Sequence, residues 1–194
     1  MSFLVFCLIP LVISCIYVLV YDTTRRVSLR DLDRSVVFGK IVICLGFYFL
    51  LMNITHDLPE SSCILVLLLE ILSGIDIFIL RIPTELLAAA ALLSAGLMFR
   101  IPLSVVAFVG SILIGVVFWI FRERIGLGSY DILLMVLLGT MLPGVAVLVK
   151  YIAVILILWG GMGSIAGVLK NKKDLMIPLV PLITFSFFAV QTFL

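Results

Sequence analysis

The chain has 194 residues, of which 64% are hydrophobic and only 12% charged, and its formal net charge is +2. A mean hydropathy of +1.41 lies far outside the range of soluble globular domains and reads as an integral membrane protein. So small a net charge, with the basic residues scattered beside apolar segments, excludes a nucleic-acid-binding patch.

Apolar segments fall near residues 3–20, 36–53, 63–80, 84–99, 102–121, 131–149, 151–169 and 177–194. Most approach the roughly 20 residues that cross a hydrocarbon core. The expected fold is therefore all-α, a polytopic bundle of about eight transmembrane helices. The sixth and seventh segments are divided at Lys150, and the 84–99 run is short enough to be tilted or interrupted. The first segment opens Met1-Ser2-Phe3 with no basic flank and no small-residue cleavage site, so it reads as a retained helix and not a signal peptide.

Basic residues alternate between connections. Arg25, Arg26, Arg30 and Arg34 lie in the first, Arg81 in the third, Arg122 and Arg124 in the fifth, and Lys170, Lys172 and Lys173 in the seventh. The even connections contribute only Arg100 and Lys150, and Lys40 sits near the first-connection end of the second helix. The bias of short cytoplasmic loops towards Lys and Arg then turns the odd connections to the cytoplasm and both termini to the opposite side. The first-connection arginines are expected to contact anionic lipid headgroups.

Within this topology two acids are placed alike. Asp76 lies near the cytoplasmic end of the third helix and Asp131 opens the sixth, 55 residues later, so both are expected at one membrane face and similar depth. Acids in membrane segments are costly and default to functional candidates. Two adjacent carboxyl groups share a proton, one serving as base towards water and the other as acid towards a carbonyl. Such chemistry uses no metal, no cofactor and no covalent intermediate. Ahead of Asp131, Gly126 and Gly128 permit close approach and backbone conformations closed to other residues, and a helix starting there turns its positive end to that acid. The same pattern also fits a first-turn helix acid at 131 and an interfacial acid at 76.

Three motifs carry a resemblance. Asp76-Ile77-Phe78-Ile79-Leu80-Arg81-Ile82-Pro83, Gly128-Ser129-Tyr130-Asp131 with Gly139 beyond it, and Ile177-Pro178-Leu179-Val180-Pro181-Leu182 together resemble the type IV prepilin peptidases, which are membrane aspartyl proteases with a G-x-G-D motif. The resemblance covers residues 63–194, with two additional helices over 1–62 in a single transmembrane domain. It implies an endopeptidase of the bacterial inner membrane that removes the leader of a prepilin or pseudopilin helix at the cytoplasmic face. Asp76 and Asp131 would be its catalytic pair, and Gly126, Gly128, Tyr130 and Pro83 would position substrate or backbone. Membrane lipids and the substrate helix are the implied partners; nucleic acid is not. The alternative is a non-catalytic member that binds prepilins, or a transporter-like bundle.

The chain departs from that family at several places. Tyr130 stands where the family has glycine, Leu133 where it usually has lysine, and Thr84 where Asn or Asp commonly follows the proline, although its hydroxyl can still cap the next helix. A tyrosine beside the acid is expected to alter substrate access or the approach of the two carboxyl groups. Cys7, Cys15, Cys44 and Cys63 are scattered without metal-ligand spacing and read as small buried hydrophobes. The first connection is too short for the cysteine-bearing methyltransferase domain of bifunctional members, so methyl transfer is not expected.

Asp22 lacks a downstream proline and lies 109 residues from Asp131, so it reads as part of a solvated loop. Glu70 is expected to pair with Lys40 or Lys150, and His56 and Asp57 to be solvated in the second connection. Gly160, Gly161, Gly163, Ser164 and Gly167 read as a close helix-packing stripe in lipid.

Overall fold

The structure, a computed structural model, describes residues 7–25, 34–55, 60–80, 83–98, 104–169 and 177–192. Arg26, Arg30, His56, Asp57, Arg81, Ile82, Arg100, Lys170, Lys172 and Lys173 lie outside the described residues, as do the side chains of Asp22, Arg25, Arg34 and Gly167. The described chain forms eight helices: α1 Ile9–Arg25, α2 Arg34–Thr55, α3 Glu60–Ile79, α4 Thr84–Met98, α5 Val105–Ile125, α6 Ser129–Thr140, α7 Val145–Leu169 and α8 Val180–Thr192. Three stretches, Val36–Thr55, Val105–Ile125 and Val145–Ser164, are long and apolar enough to cross a membrane. Large apolar side chains stand exposed along α1, α2, α5 and α7, an exterior suited to hydrocarbon surroundings.

Helix α3 is the centre of the bundle, packed against α1, α2, α4 and α8. Leu65, Val66, Leu69, Leu72, Ile75 and Ile77 are buried around its circumference, as an apolar helix surrounded by neighbours requires. Helix α8 is the second hub and touches α2, α3, α6 and α7, with Ile183, Phe187, Phe188 and Val190 in the core. Polar bonds add direction to this packing. The Tyr48 hydroxyl donates to the Glu70 carbonyl at 2.9 Å, and the Ser14 hydroxyl donates to the Ile71 carbonyl at 3.1 Å. A side chain at Gly74 would overlap both hydroxyls, so the glycine lets α1 and α2 close on α3.

Four expectations are corrected. The break between the sixth and seventh helices falls at Met141–Gly144, ahead of Lys150, which lies exposed inside α7. Pro143 and Gly144 interrupt the helix there, because proline removes an amide donor and clashes with the preceding turn. Helix α6 is thus only 12 residues, about 18 Å at 1.5 Å per residue. Glu70 is not paired with Lys40 or Lys150: Lys40 instead donates to the Phe78 carbonyl at 2.7 Å, satisfying the end of α3. Both Glu70 carboxyl oxygens lack a partner among the described residues, with the side chain 0% exposed. Gly160, Gly161, Gly163 and Ser164 are exposed, and added Cβ atoms at Gly160 and Gly161 would meet nothing within 4 Å; among the described residues they form no packing stripe. Finally, Pro83 and not Thr84 takes the N-cap position of α4, its carbonyl accepting the Leu87 amide at 3.0 Å.

Helix α3 ends on Leu80, whose φ of 54 is left-handed and whose amide donates to the Asp76 carbonyl at 2.8 Å. This terminus favours glycine. Leu80→Gly is therefore expected to raise stability by about 1 kcal/mol, seen as a higher melting temperature in detergent; an unchanged or lower melting temperature contradicts the strain. Glu70→Leu is expected to stabilise the bundle by about 1–3 kcal/mol by removing an orphaned buried carboxyl group, and a marked loss of stability would show that Glu70 has a partner.

Candidate active site

Two acids from different helices meet the segment that leads into α8. Residues 177–179 are not helical, and Pro178 and Pro181 bracket the two amides of Leu179 and Val180. A helix start leaves its first amides without intrahelical partners, and proline has no amide to offer. Asp76, 5% exposed near the end of α3, supplies the acceptor. Its Oδ2 takes the Val180 N–H at 3.0 Å. One carboxyl group thus caps α8 from another helix, where the helix dipole favours negative charge. One turn deeper, the Ser73 hydroxyl lies 3.4 Å from that of Thr184, and the two helices are joined again.

Asp131 is the third residue of α6. Its Oδ2 accepts the amide of Gly128, the N-cap residue, at 3.2 Å, the acid-to-amide half of a capping box. The two preceding glycines serve different purposes. Gly126 closes α5 in the left-handed conformation, φ 70 and ψ 28, where other residues are strained by roughly 1–2 kcal/mol. Gly128 has an ordinary φ of −71, and its need is space: a Cβ there would stand 2.6 Å from Asp131 Oδ2.

The acids share surroundings. Asp131 and Leu179 line one small cavity of about 10 Å³, together with Phe118, Leu127, Met135 and Trp159. Leu179 precedes the residue bonded to Asp76, so the 177–180 segment lies against both acids. Apart from Asp131 the small cavity has an apolar lining, which strengthens any electrostatic interaction inside it.

Tyr130 is 44% exposed, while Asp76 is buried; the ring is directed to the outside of the bundle, and the residue pressing on the Asp131 carboxyl group is Gly128. Pro83 is buried at the start of α4. Sequence reading missed a role for Arg122 beyond its loop charge. Its guanidinium lies 4.5 Å from the Trp119 ring centroid and donates to the Ser129 hydroxyl at 3.0 Å, clamping the end of α5 to the start of α6. The i, i+3 spacing of Trp119 and Arg122 is the signal that marks this pair in the sequence. Sequence reading also missed the bond from Lys40 to α3 and the Val180 amide. All four cysteines are free thiols, Cys7 and Cys44 buried and Cys15 and Cys63 partly so.

No protein-family model, no curated protein and no solved structure matches the chain.

The geometry separates positions 128 and 130. Gly128→Ala is expected to break the hydrogen bond from the residue-128 N–H to the Asp131 carboxyl oxygen and cost about 0.5–1.5 kcal/mol, whereas Tyr130→Ala, on the exposed face, should stay within about 0.5 kcal/mol of the parent. Melting temperatures in detergent check this, and a larger loss for Tyr130→Ala would place its ring inside the packing.

Proposed function

We propose that the chain is a membrane-embedded aspartyl endopeptidase with Asp76 and Asp131 as its acid/base pair, cleaving the leader from type IV prepilins or pseudopilins. The observation that carries this reading is that two acids, 55 residues apart in sequence, lie against one segment: Asp76 bonds the Val180 amide, and Asp131 lines a small cavity with Leu179. The resemblance of the three motifs supplies the substrate class.

In the proposed reaction the pair holds one proton. The ionised carboxylate takes a proton from water as its oxygen attacks the scissile carbonyl carbon, and the protonated partner hydrogen-bonds the carbonyl oxygen. Collapse of the tetrahedral adduct breaks the C–N bond, and the proton passes to the leaving amine. The Val180 amide holds one oxygen of Asp76, and the Gly128 amide holds one of Asp131. Both acids thereby keep a defined orientation before substrate arrives.

The reading includes a topology. The bundle is embedded in the bacterial inner membrane, the odd connections and the acid pair face the cytoplasm, and both termini lie on the other side. The core over 63–194 carries the reaction, preceded by the two helices of 1–62. A substrate helix approaches laterally, its basic leader remaining in the cytoplasm. The reaction requires no cofactor, and methyl transfer is not part of it.

A second reading, a transporter-like or degenerate prepilin-binding bundle, draws on the unpartnered Glu70 carboxyl group in mid-α3. Processing of a leader-bearing pilin in membranes separates the two. Asp76→Asn and Asp131→Asn are each expected to lower cleavage by roughly a hundred- to ten-thousand-fold while the protein still accumulates. Retained processing in both variants overturns the peptidase reading.

A further inference from the structure

A second cavity, of about 300 Å³, lies between α1, α2 and the end of α3. Val18 and Leu19 come from α1, Val37, Lys40 and Ile41 from α2, and Phe78 from α3. Phe78 follows Asp76 by two residues, which turns it about 200° around a helix of 3.6 residues per turn. The cavity is therefore on the face of α3 away from the α8-capping acid and does not belong to the acid pair. Leu19, on its wall, is exposed, so the space opens sideways towards whatever surrounds the bundle.

Its chemistry has two parts. The walls are apolar except for Lys40, and an apolar space of this size is suited to hydrocarbon and not to water, which needs several polar partners. Lys40 reaches in from α2 and gives one N–H to the Phe78 carbonyl at 2.7 Å. An ammonium has three donors, so two remain. Among the described side chains no carboxylate is paired with it. A cation without a carboxylate partner among the described residues, at the edge of a hydrocarbon-shaped space, is complementary to an amphiphile with an anionic head.

We propose that this cavity binds one anionic phospholipid, its acyl chain along Val18, Leu19, Val37 and Ile41 and its phosphate on Lys40. The lipid fills the gap between α1 and α2 and joins both to the terminus of α3. The site is independent of the peptidase reading and needs only that the chain sits in a membrane.

Native mass spectrometry of the full chain in detergent tests this with phosphatidylglycerol and phosphatidylcholine as probes. One phosphatidylglycerol is expected to be retained in preference to phosphatidylcholine. Lys40→Gln should weaken its binding about five-fold, the worth of one basic residue at an anionic lipid, and Lys40→Arg should restore it. Because Lys40 also satisfies α3, Val37→Trp provides a second arm that fills the cavity and leaves the lysine in place; it should abolish the preference with helical content unchanged. Equal retention of the two lipids overturns the proposal, as does undiminished phosphatidylglycerol binding in folded Val37→Trp. Displacement of the lipid by glycerol phosphate at matched concentration also overturns it, and assigns Lys40 to a soluble anion.

Discussion

The bond between the Val180 amide and the Asp76 carboxyl group is the constraint around which the bundle is arranged. A helix that starts inside an apolar assembly has no water to receive its first amides, and an unpaired one costs several kcal/mol in hydrocarbon. Prolines at 178 and 181 reduce the number of amides that need a partner, and Asp76 meets the need at 180. The bond fixes where α8 begins and how it lies against α3. The Ser73 and Thr184 hydroxyls and the apolar face of α8 then continue the same interface. Residues 72–77 of α3 are all buried, and the polar group among them near the helix end is engaged by a neighbour.

Both acids of the proposed pair are helix-capping groups, one for its own helix and one for another. That capping and the proposed chemistry are compatible, because a carboxyl group has two oxygens and the cap occupies one of each. The caps also give each acid a fixed direction, which free surface acids lack. Gly128 is the sharpest sign of this design, since its small size is required by the carboxyl oxygen and not by its backbone angles.

Much of the architecture was legible in the chain because hydrophobic runs and helix breakers are local signals. The helices over 36–53 and 102–121 emerge close to their expected positions for that reason. The division after α6 falls ahead of Lys150 because Pro143 acts directly on helix geometry and an exposed lysine does not. The acids at 76 and 131 stood out by polarity alone. What they bond to did not, since a backbone amide 104 residues away leaves no mark in composition. Glu70 shows the opposite failure: pairing by opposite charge is a sound rule for buried acids, and here the available lysine is held by a backbone carbonyl instead. Gly160 and Gly161 resemble a packing stripe only by residue type, whereas Gly74 is required by the two hydroxyls beside it.

The 104-residue reach of the Asp76–Val180 bond has a consequence for how the chain is built. Asp76 precedes by 104 residues the amide that it caps, so in a growing chain it is made before the helix start that it serves. Contacts between residues so far apart in sequence form more slowly than local ones. The surroundings that the 177–180 segment gives to both acids are therefore complete only once α8 is in place.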